Sequence, residues 1–275
     1  MPYARPSEQV RAWRPAVDGI TEVFHAHFVG HAYPAHTHDT WTLLIVDDGA
    51  IRYDLDRHGH GAVGGEVTLL PPHVSHDGRA ATRHGFRKRV LYLDERVLDP
   101  GLIGAAVGTP SLHDPLLRQR IDQLHRALVG AGPARAGLDA VEAFEAESRL
   151  AFVGERLRRH LGRRTGVPPA RPGRLADELR ELLDAHAGQG ISLRQAAEVL
   201  HADPSHLVRS FTRAFGLPPH RYLTGRRIDM ARRRLLAGQP AAEVAVAVGF
   251  HDQAHLTRHF RRYLGATPGR YSSSI

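Results

Sequence analysis

Hydrophobic spacing changes character twice along the 275-residue chain. Residues 1–20 give little pattern and read as an arm. From Thr21 to Leu93 the apolar runs are short and closely punctuated. Thr42–Val46 (TLLIV) is a buried-type strand closed by an Asp47-Asp48-Gly49 turn. Ile51, Tyr53 and Leu55 alternate with Arg52, Asp54 and Asp56, the period of a half-buried strand. Gly59–Gly65 reads as a turn, Val67–Leu70 as a strand stopped by Pro71-Pro72, and Arg87–Leu93 as a further strand. Strands this short predict an antiparallel barrel or sandwich.

After Pro100 the period becomes helical. Leu102–Val107 and Pro115–Val129 read as helices, the second with Leu116, Leu117, Ile121, Leu124 and Leu128 on one face. Gly130-Ala131-Gly132-Pro133 breaks it. Leu138–Leu161 is a long helix with Val141, Phe144, Phe152, Leu157 and Leu161 as expected core positions. A stretch rich in Arg, Pro and Gly, Gly162–Gly173, reads as an interdomain linker. Everything beyond it is helical. Arg174–Ala187 carries Leu175, Leu179, Leu182 and Leu183 on one face, and Ser192 caps a helix running to about Leu200. Asp203 caps the next, with Pro204 at its first position, Phe215 near its end and Gly216 stopping it. Helices at Arg221–Ala237, Ala241–Val248 and from the Asp252 cap to Leu264 complete the chain. The expected organisation is a two-domain α+β protein. It has a barrel at 1–100, a helical region at 101–163, a linker at 164–173 and an all-α domain at 174–275.

The all-α part contains one unit twice. A shift of 49 positions brings Ala196 onto Ala245, Val199 onto Val248, Asp203 onto Asp252, His206 onto His255 and Leu207 onto Leu256. It also brings Arg209 onto Arg258, Phe211 onto Phe260, Arg213 onto Arg262, Gly216 onto Gly265 and Tyr222 onto Tyr271. A fixed period means one supersecondary unit used twice. A short helix with a small residue, a turn, then a capped polar helix is the helix-turn-helix plan. Leu207, Phe211, Leu256 and Phe260 anchor the second helix of each unit, and the polar residues between them face outward.

Charge supports a nucleic-acid partner. Residues from Arg174 onward hold 15 Arg against 9 Asp+Glu, whereas 1–173 are close to neutral. Lys88 is the single lysine of the chain. There is no cysteine, which excludes disulfides, thiolate metal sites and a Cys nucleophile. The N-terminus has no apolar signal region and no run of ~18 apolar residues occurs, so a cytoplasmic protein without a membrane partner is expected.

Residues from about Arg174 to Tyr271 resemble the DNA-binding domain of AraC/XylS-family transcription regulators. The resemblance is carried by Ala245, Gly249, Phe250, Leu256, Arg258, Phe260, Gly265, Pro268 and Tyr271, within AAEVAVAVGFHDQAHLTRHFRRYLGATPGRY. It implies two helix-turn-helix units joined by the Arg221–Ala237 helix, each placing a recognition helix in the major groove of double-stranded DNA. Position by position, it implies base contacts from Ser205, Val208 and Arg209 in the first unit and from Gln253, Ala254, His255 and Arg258 in the second. The outward-facing His206, Arg213, Thr257 and Arg262 on the same two helices are further candidate DNA contacts. A homodimer is expected, with the helices between Pro115 and Leu161 as the best place for its contacts, although these helices could equally pack back on the barrel; RNA polymerase is a candidate further partner.

The N-terminal histidines are the other candidate chemistry. His36 and His38, at i and i+2 on a strand, point to one face, and His76 from a neighbouring strand completes a facial set for a divalent metal. The layout resembles a cupin, a domain that AraC-family regulators often use to bind an effector. The pattern departs from metal cupins in one respect: Thr42 and Leu43 stand where a ligating Glu is usual. Hydrogen bonding in the barrel mouth, or contact with a small-molecule effector, are the other readings of these histidines. Tyr33, Trp41, His73 and Arg89 are candidate effector contacts, with Tyr53 beside them, although Trp41 and Tyr53 also suit the barrel core.

The function expected from all this is a ligand-responsive, non-enzymatic transcription regulator. The alternative is a metal-dependent cupin enzyme carrying a DNA-binding tail, which the absent Glu disfavours. A DNA-repair alkyltransferase would need an acceptor Cys and is excluded. A flat sequence preference would instead mark an architectural binder.

Overall fold

The computed structural model describes residues 8–130, 140–162 and 173–272. The break expected at 131–133, the helix start at 138–139, the side chain of Val141 and nearly all of the 164–173 linker fall outside them. Among the described residues, nine antiparallel strands form the N-terminal part: β1 Gln9–Trp13, β2 Ile20–Phe28, β3 Ala32–His36, β4 Trp41–Leu55, β5 His58–Val63, β6 Val67–Leu70, β7 His76–Ala80, β8 Phe86–Leu93 and β9 Ser111–Leu112. The main order is β1-β2-β8-β4-β6-β9. The N-terminal half of β4 pairs with β8 and β6, and its C-terminal half pairs with β5 and β7. One strand therefore belongs to both walls of an open barrel.

Three expectations about the strands are corrected. Part of the supposed arm is β1, held by pairing along β2 from Gln9↔His27 to Trp13↔Val23. Asp47-Asp48-Gly49 does not end a strand. It is a bulge between Val46 and Asp48, with Gly49 at φ 72, and it bends β4 from one wall to the other. An added Cβ at Gly49 would lie 2.1 Å from the Gly85 carbonyl oxygen, so the two backbones meet there only because residue 49 is glycine. The Gly59–Gly65 stretch is largely strand β5. The turn lies before it at Asp56-Arg57, both with positive φ (46 and 70), as a two-residue hairpin requires.

The helices are α1 Ile103–Gly108, α2 Pro115–Gly130, α3 Ala140–Gly162, α4 Arg174–Ala185, α5 Leu193–Val199, α6 Pro204–Phe215, α7 Pro219–Leu236, α8 Ala241–Ala247, α9 Gln253–Leu264 and α10 Pro268–Ser272. The repeat reappears as geometry. Helices α6 and α9 each span 12 residues, start at an Asp whose side chain accepts the third residue's N–H, and end at a left-handed glycine. Gly216 (φ 73) and Gly265 (φ 70) supply that termination. The matched Asp and Gly positions thus have the same structural duty in both units.

Alternation along the strands sorts the core into two faces. Leu43, Ile45, Leu91 and Leu93 pack beneath α2 and α3 with Leu117, Ile121, Leu124, Leu150, Val153, Leu157 and Leu161. Phe24, Leu44, Val90 and Tyr92 on the opposite face join Ile228, Leu235, Val244, Phe260, Leu264 and Tyr271 of α7 to α10. The second helix-turn-helix unit thus covers the open side of the barrel. A separate core of Leu179, Leu183, Leu207, Phe211 and Tyr222 holds the first unit together. Phe144 and Phe152 are not core: they are 71% and 53% exposed on α3, because Ala146, Leu150 and Val153 take the buried stripe.

Leu157 is fully buried between α3 and the sheet. Leu157→Ala should cost about 2–5 kcal/mol, lost transfer energy plus a cavity. Urea unfolding followed by far-ultraviolet circular dichroism measures it, and a loss under ~1 kcal/mol would contradict this packing.

Candidate effector cavity and DNA interface

Alternation on β8 places Phe86, Lys88, Val90 and Tyr92 toward α7 and Arg87, Arg89 and Leu91 away from it. Lys88 therefore points into a cavity of about 50 Å³ enclosed between the sheet and α7 and α9. Tyr33, Tyr53, His36, His38, His76 and Tyr92 line it from the sheet, and Asp229, Arg232 and Tyr263 from the helices. The Lys88 Nζ lies 4.2 Å above the Tyr33 ring. No carboxylate partner is recorded for it among the described residues. Burial, with the Arg232 charge nearby, pushes this ammonium down to about 7. Burying a cation without a counter-ion is costly, which is why this lysine gives up its proton so readily.

His36, His38 and His76 are all buried, and each offers a ring nitrogen within 4.8 Å of the others. Their rings meet at centroid distances of 4.5–5.2 Å. Each Nδ1 is already committed to an oxygen: His36 to Pro34 O at 2.7 Å, His76 to Val74 O at 3.1 Å, and His38 to Asp229 Oδ1 at 3.0 Å. Nδ1–H donation leaves Nε2 of each ring free to ligate, the orientation that metal-binding histidines adopt. Burial, then the neighbouring rings, lowers His36 well below its usual value, and the same causes bring His76 to about 3. Neutral rings suit a metal. The donor set therefore fits a divalent cation held by three imidazoles, and it contains no carboxylate ligand.

Helix α7 is tied to the barrel by buried charge. Arg232 donates to Glu22 Oε1 on β2 at 2.7 Å and to Tyr271 Oη at 3.1 Å, and its guanidinium lies 4.2 Å over the Tyr92 ring. Tyr271 donates to the same Glu22 oxygen. Asp229 receives Arg232 at 3.2 Å as well as His38. Burial raises the Asp229 carboxyl, but His38, Arg232 and Arg226 outweigh it and hold the group well below the usual range. Asp39 accepts from Arg233 at 2.6 Å and lies 3.3 Å from Arg226.

The recognition helices carry a different kind of arginine. Arg209, Arg213, Arg258, Arg261 and Arg262 are exposed, and none has an ion pair recorded among the described residues. Gln253, Ala254, Thr257, Arg258, Arg261 and Arg262 line one outward groove on α9. His255 is less available: it is half-buried, its N–H is taken by the Asp252 cap at 2.7 Å, and its ring packs on Phe250 and His259. In the first unit Ser205 and Arg209 are exposed and Val208 is half-buried. His206, Ser210 and Arg213 instead line a cleft whose other wall includes Asp56, Arg57 and Ser75 of the barrel. The approach is close, with an added Cβ on Gly216 falling 3.5 Å from Ser75 Cβ.

The effector candidates divide. Tyr33 and Tyr53 line the cavity. Trp41 does not: it packs under α2 and α3 and donates to Leu98 O at 2.9 Å. Arg89 lies on the outer face of β8, where Asp47 and Asp122 of α2 engage it at 2.7–2.8 Å. His73 lines the cleft facing α4 and α6, not the histidine cavity. Sequence reasoning missed Glu22, Asp229 and Arg232, whose partners lie about 200 positions away, and Arg261, one turn beyond Arg258. It also passed over Lys88 as a ligand contact. The alternation in RKRVLYL was the available signal.

Known proteins agree with this architecture. The model of the AraC-like ligand binding domain matches residues 19–151, and that of a helix-turn-helix domain matches residues 196–274. The uncharacterized HTH-type transcriptional regulator YbfI of Bacillus subtilis (strain 168) is 26% identical over 237 residues, 80% of each chain. The structure of ToxT from Vibrio cholerae O395 aligns over 98% of both chains at a TM-score of 0.58 and 9% identity. An apo ToxT K231A structure, from Vibrio cholerae strain SCE256, gives 0.60 and 11% over the same coverage. At these identities ToxT shows the fold. Wild-type ToxT has also been solved with an unsaturated fatty acid bound. The chain belongs to the AraC family of transcription regulators, with an N-terminal ligand-binding domain and a C-terminal helix-turn-helix DNA-binding domain. No helix among the described residues is long and apolar enough to cross a membrane.

The cavity lysine has a measurable consequence. Its folded value of about 7 lies below the ~10.4 of an exposed lysine. Between those values the unfolded chain binds a proton that the folded chain lacks, so stability gains with rising pH. Below about pH 7 both states are protonated and the penalty is constant. Lys88→Met should therefore be more stable than wild type at pH 7. That advantage should shrink by on the order of 1 kcal/mol per unit toward pH 9. Urea unfolding of both proteins at the two pH values tests this, and an advantage that does not change with pH would contradict it.

Proposed function

We propose that this regulator reads DNA chiefly through the outward face of α9, with the first unit supplying a second, weaker set of contacts. The supporting observation is a division of arginines: Arg226, Arg232 and Arg233 on α7 are spent on the barrel carboxylates Asp39 and Glu22, whereas Arg258, Arg261 and Arg262 stand exposed along one groove. Gln253 and Arg258 are placed to meet base edges, and Thr257, Arg261 and Arg262 to hold phosphates. Ser205, Val208 and Arg209 play the same part from α6, with His206 and Arg213 joining once the barrel no longer faces them. Ala254 gives an apolar contact at the helix start, and His255 supports the turn from its half-buried position.

The division of labour follows the chain. Residues 1–100 sense, 101–163 dimerise, 164–173 link and 174–275 read. The exposed Phe144 and Phe152 on α3 favour a homodimer through that face. The effector is a small anion at Lys88. The docked cavity of about 50 Å³ holds only a few heavy atoms, and a ligand the size of a fatty acid would need α7 to move. The three histidines hold a divalent metal beside it. RNA polymerase is the partner expected at a promoter, and the functional class is regulatory, not catalytic.

Arg258→Ala should weaken binding to the cognate site by ~1–3 kcal/mol and flatten the preference over unrelated DNA. Competitive mobility-shift titration at fixed salt measures both. Retained selectivity would assign the reading role elsewhere.

A further inference from the structure

Two of the three histidine rings are oriented from within the barrel, and one is not. His36 and His76 each give their Nδ1 proton to a carbonyl two residues back in the barrel chain, Pro34 on β3 and Val74 just before β7. His38 instead meets Asp229, which lies 191 positions away on α7 of the DNA-binding domain. The contact is buried on both sides, with side-chain exposure of 7% each. Helix α7 passes close to this segment at Gly225, where an added Cβ would stand in ordinary contact with His36 Cβ at 3.9 Å and Thr37 O at 4.0 Å. Tyr263 of the recognition helix α9 also packs edge-on against His36, at 6.0 Å between ring centroids. The histidine cluster is thus walled by the DNA-binding domain and completed by its carboxylate.

We propose that a divalent metal bound by His36, His38 and His76 is an interdomain clasp, in which Asp229 is the positioning residue that orients His38. This rests on the three-histidine metal reading given under the proposed function. A carboxylate accepting Nδ1–H fixes the ring that presents Nε2, and raises the basicity of that nitrogen. Metal on Nε2 in turn strengthens the Nδ1–H donor and so the hold on Asp229. The coupling is reciprocal by thermodynamic necessity: whatever factor docking of α7 adds to metal affinity, metal adds to docking of α7. Asp229 also receives Arg232, which holds Glu22 on β2, so the clasp acts on a helix already registered against the barrel. The consequence is a regulator whose two reading units are released or held according to metal supply. The metal site and the switch then share one side chain, Asp229, that belongs to the DNA-binding domain.

The test uses untagged full-length protein and zinc chloride. Calorimetric titration should give about one equivalent for wild type. Asp229→Asn should keep that stoichiometry with affinity lowered about tenfold to a hundredfold, the usual effect of losing such a partner. Cobalt substitution separates orientation from ligation. The visible bands should sit at the same positions in wild type and Asp229→Asn, and should be lost in His38→Ala.

Docking is read independently. The chain has no cysteine. Two can therefore be placed at the exposed Val63 and Val246 and spin-labelled. In a Glu22→Gln background, which loosens the interface without touching a histidine, zinc should raise the docked population measured by pulsed dipolar spectroscopy. With Asp229→Asn added, zinc at saturation should not. No zinc uptake by wild type, below a tenth of an equivalent, would overturn the metal site and the clasp with it. Normal uptake with unchanged affinity in Asp229→Asn, or with a docked population that ignores zinc, would overturn the clasp and leave the metal site standing.

Discussion

The buried guanidinium of Arg232 fixes how the two halves of this protein meet. It is 3% exposed and finds Glu22, Asp229 and Tyr271 in one place, with Tyr92 beneath it. A buried ion pair of this kind adds little net stability compared with apolar packing, but removing one partner strands the other at a cost of about 3–5 kcal/mol. Its effect is therefore on specificity. Helix α7 can sit on the barrel in the register that satisfies Glu22, and other registers leave a charge unpaired. Asp39, meeting Arg226 and Arg233, repeats the same constraint at the exposed end of the interface.

Because α7 also joins the two reading units, that registration reaches both of them. The second unit is built onto the barrel: Phe260, Leu264 and Tyr271 share a core with Phe24 and Tyr92. Its recognition helix nevertheless keeps its arginine face outward. The first unit has its own core and turns part of its recognition helix toward the barrel. The copies are thus unequal in exposure as well as in sequence. The histidines and Lys88 lie directly under α7, so a ligand there acts on the element that sets the presentation of both units.

The repeat was legible because each matched residue has a duty that few residue types can fill. Asp203 and Asp252 cap, Gly216 and Gly265 turn left-handed, and Phe211 and Phe260 fill cores. The three histidines were legible through a matching motif, but the strand alternation expected of His36 and His38 does not hold, because β3 ends at His36 and His38 lies just beyond it. The Asp47-Asp48-Gly49 bulge was not, because those residues serve a turn and a bulge equally well. Phe144 and Phe152 were misplaced because their spacing fits a helical stripe. Which stripe is buried depends on the neighbour, and there Leu150 and Val153 won. The ties of Glu22 and His38 to α7 leave no local trace at all. They arise only when two separately patterned domains come together.

In the docked state the barrel restrains the DNA-binding domain. The most direct test of this restraint is the affinity of full-length protein for a fragment recovered by genomic binding-site mapping, measured for wild type and Glu22→Gln by mobility shift at one salt concentration. Loss of the Glu22 tie should free α7 and the His206–Arg213 face of α6, and tighten binding severalfold. Equal or weaker binding by Glu22→Gln, with folding intact by circular dichroism, would contradict the account.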